Sequence, residues 1–184
     1  MPQKPNKPHD LISGAAALTG SYMYRHNKEM DIALTDTGVI VAMILYFLTE
    51  EPTACMTKLE CYLLLLNKKY LDASGEHLFL WKLSKSGRIR NFKKMIKHMV
   101  SLKVISHGGG SRLIVECGAD GLKKNFKYMF DGVLGAMKDV LKIGQKKTAK
   151  EMLSLVTSWK EDAQYRDALE NANKAIDGID GAKN

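Results

Sequence analysis

Three consecutive glycines, Gly108, Gly109 and Gly110, stand between two short β-prone runs, "KVIS" (Lys103–Ser106) and "RLIVEC" (Arg112–Cys117). Each glycine loses more backbone freedom on ordering than any other residue, so a triplet is poorly suited to the interior of a helix or strand. The triplet must be a turn, and the flanking runs pair across it as an antiparallel hairpin. Just upstream, Phe92, Met95, Ile96, Met99 and Val100 recur at helical spacing. They form an apolar stripe, with Lys93, Lys94, Lys97, His98 and Ser101 off it. The chain therefore has to set an amphipathic helix directly against a small β-ribbon.

Two more helices precede this pair. "TDTGVIVAMILYFLTEEP" predicts a helix over 36–50, with Thr35 or Asp36 as N-cap and Pro52 beyond its end. Its apolar character runs nearly all round, which predicts a central position. "TKLECYLLLLNKKYLD" predicts a second helix over 58–71. It opens on a threonine-x-x-glutamate capping box formed by Thr57 and Glu60. Leu59, Tyr62, Leu63, Leu66 and Tyr70 share its inner face, and Gly75 breaks the pattern.

Three helices (36–50, 58–71 and about 87–102) followed by a hairpin over 103–117 describe a winged helix. The link from Asp72 to Ser86 departs from it, being longer than the turn of a strict helix-turn-helix. Beyond Gly118 the pattern is helical again. Leu122, Phe126, Met129, Phe130, Val133, Met137 and Leu141 form one stripe that Gly144 can end. "TAKE" (Thr148–Glu151) is a second capping box, and Met152, Val156, Trp159 and Ala163 continue inward. The expected fold class is mainly α with a small β-hairpin: a winged-helix-like domain followed by two long C-terminal helices. The expected organisation is a flexible arm over 1–10, the winged-helix-like domain over 11–118, a helical appendage over 119–178 and a frayed tail over 179–184.

Charge is concentrated in this framework. From Lys82 to Lys103 the chain carries Lys82, Lys85, Arg88, Arg90, Lys93, Lys94, Lys97 and Lys103 with no Asp or Glu between them. That excess equals the net charge of the whole 184-residue chain, +8. A solvated helix face usually mixes both signs, whereas this one carries a single sign on the element that a winged helix presents to DNA. Arg88, Arg90, Lys93, Lys94, Lys97 and, from the wing, Arg112 are the candidate nucleic-acid contacts. An acidic protein surface and plain solvation stay open as alternatives. Asn91, His98 and Ser101 are the only neighbouring groups suited to reading base edges, so phosphate contact is expected and sequence specificity is not. The spare apolar faces of the C-terminal helices are either core or a partner surface; Phe126, Met129, Phe130, Val133, Met137 and Trp159 are the candidate contacts, in a complex or in a homodimer.

Other chemistry finds little footing. "HGGGSR" lacks the phosphate-loop pattern and leads into a strand. His9, His26, His77, His98 and His107 are dispersed, with no i, i+4 pair, so no metal, catalytic residue or cofactor is expected. Cys55, Cys61 and Cys117 fit neither a metal site nor a disulfide framework, and they suggest free thiols in a reducing compartment. The start, "MPQKPNKPHD", is polar and proline-rich, unlike a secretory signal. "VIVAMILYFL" has about half the length needed to span a bilayer. A cytoplasmic, membrane-free location is the expectation.

The order "MTKLECYLLLLNKKYLDASGEHLF", a basic helix, "MVSLKVI" and a hairpin resembles a known group. It is similar to the small winged-helix accessory (middle) subunits of bacterial ABC-three-component systems, including Lamassu-type antiphage complexes. The resemblance covers about Leu34 to Cys117 and rests on hydrophobic pattern, with no diagnostic motif. It implies a non-enzymatic subunit that accompanies a coiled-coil, SMC-like ATPase and a nuclease effector. The rival expectation is a dimeric winged-helix transcription regulator, with the C-terminal helices as its seam.

Overall fold

The structure is a computed structural model that describes residues 34–79, 81–116, 132–167, 170–171 and 173–174. The arm over 1–10, the tail over 179–184, and Phe126, Met129 and Phe130 lie outside the described residues, as do Cys117 and Leu122.

Helix α1 spans Leu34–Glu50, and every residue from Val39 to Leu48 is buried, so the all-round apolar run is central as its composition predicts. It starts early enough that Thr35 and Asp36 sit in its first turn instead of capping it. It stops before Pro52, with Glu51 N–H still donating to Phe47 O at 2.8 Å.

Helix α2, Met56–Ser74, is the axis of the molecule. All residues from Leu59 to Leu66 are buried. Its sequence covers the expected inner face, but Cys61, Leu64 and Leu65 are buried as well, because other helices pack on its remaining sides. Gly75 ends it in the left-handed region (φ 73°), donating its N–H to Leu71 O at 2.8 Å. The expected capping box at Thr57 does not form. The N-cap is Cys55, held extended (φ −83°, ψ 166°) and paired in an antiparallel bridge with Arg112 of the hairpin. That bridge starts the helix two residues early and leaves Thr57 inside the first turn.

The link that departs from a strict helix-turn-helix is built, not slack. Asn67 Oδ1 accepts from the N–H of Leu78 (2.8 Å) and of Phe79 (3.4 Å), tying the link to α2. Residues 82–90 then form a small antiparallel loop. Leu83 bridges Ile89, and Ser84 N–H donates to Arg88 O at 2.8 Å. Gly87 supplies the positive φ (78°) of its turn. Trp81 Nε1 donates to Arg90 O at 2.9 Å and closes the loop's base. Helix α3 consequently spans Phe92–Ser101 and does not begin near residue 87. Phe92, Met95, Ile96 and Met99 face the core as the spacing predicts.

The hairpin follows directly: β1, Ile105–His107, pairs antiparallel with β2, Leu113–Val115, in the register Ile105↔Val115, Ser106↔Ile114, His107↔Leu113. Gly108 N–H donates to Arg112 O at 2.9 Å across the turn, and Gly110 takes φ 69°. Among the described residues the fold is therefore mainly helical with one two-stranded antiparallel sheet.

The C-terminal part is more broken than expected. Helix α4 spans only Leu134–Gln145 and follows Gly132 at φ 81°, so the stripe from Leu122 to Leu141 is not one continuous helix. Gly144 does not end α4; it lies inside it, buried against Tyr62. Helix α5, Ala149–Ser158, opens on the predicted capping box: Thr148 Oγ1 accepts from Glu151 N–H at 3.2 Å, and Glu151 Oε2 accepts from Thr148 N–H at 2.6 Å. A 3-10 turn over Trp159–Glu161 and an extended Asp162 then end it, so Ala163 is exposed instead of continuing the inner face. Helices α4 and α5 both pack on α2. Among the described residues, no helix is long and apolar enough to cross a membrane.

Candidate functional site

The amphipathicity of α3 decides what it shows to its surroundings. With Phe92, Met95, Ile96 and Met99 turned inward, Lys93 and Lys97 stand exposed on the outer face, one turn apart. Neither has an ion pair among the described residues. Lys94 sits beside them, half-buried.

Below these lysines lies an open groove of about 590 Å³. Met56, Ile89 and Phe92 make its apolar floor, while Arg88, Lys93, Lys94 and Lys97 provide the cations around it, with Asn91 at the helix start. Asn91 has φ 60°, the left-handed turn that swings the chain from the 82–90 loop into α3.

One carboxylate enters the groove. Glu60 is 3% exposed and belongs to the buried face of α2. Its Oε1 accepts from Arg88 Nε at 2.9 Å and from Ile89 N–H at 2.8 Å, and its Oε2 accepts from Arg88 Nη2. These bonds to Glu60 hold the Arg88 guanidinium above its already high pKa, so it is a permanent cation. They also fix it: Arg88 is not the freely solvated helix residue that the sequence suggests, but a loop residue clamped side-on to a buried acid.

Of the six expected nucleic-acid contacts, the structure gathers Arg88, Lys93, Lys94 and Lys97 around one groove. Arg90 is exposed but on the loop before α3, outside the groove lining. Arg112 is exposed at the hairpin, where its Nε donates to Pro52 O at 3.1 Å. It lines a separate shallow cleft with Pro52 and Ile114, so its first role is to tie the hairpin to the α1–α2 turn.

The expected partner surface divides differently. Val133 and Met137 are buried in the chain's own core and cannot serve an outside partner in this fold. Trp159 is half-buried, 5.6 Å from the Tyr165 ring, with Lys68 Nζ over it at 5.7 Å. The remaining chemistry stays dispersed. His77 Nδ1 meets Asn67 Nδ2 at 3.0 Å as part of the link. Cys61 is buried, and burial pushes its thiol up to about 12. Among the described residues no three His, Cys, Asp or Glu side chains come together as metal ligands would.

Glu60 is the site residue that sequence reasoning missed, because its spacing from Thr57 matched a cap. A signal was present nonetheless. Glu60 sits within "LECYLLLL", an apolar run, and a carboxylate there needs a cation from elsewhere in the chain. The nearest acid-free basic stretch begins at Lys82. No protein family, curated protein or solved structure matches this chain.

Proposed function

We propose that this chain is a non-enzymatic, winged-helix-type accessory subunit that contacts nucleic-acid phosphates through the outer face of α3 and bridges them to larger protein partners. In the group that its sequence resembles, those partners are a coiled-coil ATPase and a nuclease effector acting in antiphage defence. The observation that carries the reading is the pair Lys93 and Lys97, exposed, one turn apart and without an acidic partner among the described residues, on the helix that leads into the hairpin. Phosphate contact of this kind attracts any sequence, and its strength falls steeply with salt as counterions are released.

The test replaces Lys93, Lys94 and Lys97 together by Gln and follows a short mixed-sequence duplex by fluorescence anisotropy across a salt series. The variant is expected to keep the far-ultraviolet spectrum of the parent, to lose most low-salt affinity, and to lower the salt slope by about 2–3. Unchanged retention at low salt overturns the proposal. A stable homodimer with a marked sequence preference replaces it with a dimeric transcription regulator.

A further inference from the structure

Arg88 differs in kind from the lysines that share its groove. A lysine offers a mobile point charge, whereas a guanidinium is a planar fork with five N–H donors. Glu60 takes the Nε side of that fork through Nε and Nη2. Because the group is planar, the Nη1 side faces away from the carboxylate. Arg88 remains about one-third exposed and lines the groove, while Glu60 is 4% exposed at its side chain and cannot follow a ligand outward. Ile89 N–H, on the same carboxylate, pins the backbone beside it. The pair thus cancels in net charge but leaves a donor edge in a set orientation.

We infer that Arg88, oriented by Glu60, is a phosphate hook: its Nη1 edge takes the non-bridging oxygens of a single phosphate, while Lys93, Lys94 and Lys97 supply the surrounding attraction. The inference rests on the phosphate reading above and assigns the groove's ligand as a tetrahedral phosphate oxyanion. Glu60 is then a positioning residue, acting through Arg88.

A sign test separates orientation from charge. Glu60→Gln removes a negative charge from the groove but sets an amide N–H₂ against the guanidinium and releases it. A site working by charge alone binds the duplex more tightly after this change. An oriented hook binds it more weakly, by about tenfold, the loss of one charged hydrogen-bonded pair. Arg88→Lys gives the second arm, preserving charge while removing the fork. It is expected to weaken binding by a similar factor with the salt slope unchanged, unlike the lysine substitutions. Both variants are checked for the parent's thermal transition and near-ultraviolet Trp81 signal, and whichever stays folded decides. Tighter binding by Glu60→Gln, or parent-like binding by Arg88→Lys, overturns the hook even where the lysine variant shows that phosphate is bound. A polyglutamate peptide held as tightly as the duplex, and as sensitive to Arg88→Lys, overturns the phosphate assignment.

Discussion

Thr57–Glu60 and Thr148–Glu151 are spelled alike, threonine-x-x-glutamate before an apolar run, and they become different structures. At Thr148 the box closes on both bonds, on an exposed helix start. At Thr57 the helix has already begun, and Glu60 turns inward to Arg88 and Ile89. The difference lies in what else each segment touches. Cys55 is drawn into a bridge with the hairpin residue Arg112, more than fifty positions away, and that contact resets the helix start. A cap worth about 1 kcal/mol yields to two tertiary contacts, the bridge of Cys55 with Arg112 and the ion pair of Glu60 with Arg88. Local spelling decides where the surroundings are empty, and the surroundings decide elsewhere.

The comparison can be broken most forcefully at Glu60. Glu60→Ala strands the Ile89 N–H and leaves Arg88 without its acid; since Arg88 is one-third exposed and can turn to water, the expected loss is about 2–3 kcal/mol by urea denaturation. A loss below 0.5 kcal/mol, on the order of a neutral surface change, would remove the tertiary explanation. Thr148→Ala should cost about 1 kcal/mol, the ordinary worth of a threonine cap.

The same box has a pH signature. The bonds from Thr148 hold the Glu151 carboxyl below its usual range, so its contribution is present above the ordinary glutamate pKa. It fades as pH falls through the depressed value. The gap between the parent and Thr148→Ala should therefore narrow in acid, which thermal melts across an acidic pH series would check. Thr57→Ala is the smallest effect, within about 0.5 kcal/mol, because its hydroxyl caps nothing. A loss equal to that of Thr148→Ala would mean that a Thr57 cap forms after all.

What could be read ahead of the coordinates follows the same division. The inward faces of α1, α2 and α3 were legible because they follow a helical period: Val39 to Leu48, then Leu59, Tyr62, Leu63, Leu66 and Tyr70, and Phe92 with Met95, Ile96 and Met99 are all buried. The hairpin was legible because three glycines leave few alternatives. The start of α3 was not. Nothing in "LSKSGRIRN" announces that Ser84, Gly87 and Arg88 close a turn, since that turn depends on Glu60 and on Trp81 reaching Arg90. The breaks at Gly132 and Asp162 were hidden by apolar residues that continue a helical spacing across them. The cations of α3 could be placed on its outer face from sequence, but Arg88 could not be separated from them, because its partner is 28 positions away.

Gly144 carries a consequence of its own. A methyl group at that position would lie 2.0 Å from Tyr62 Cε1, far inside any tolerable separation, on a ring whose hydroxyl is already engaged with Glu51. The missing side chain works as a notch. It lets the backbone of α4 lie directly against the Tyr62 ring of the central helix. The closeness of α4 to the central helix is thus set by a hydrogen atom.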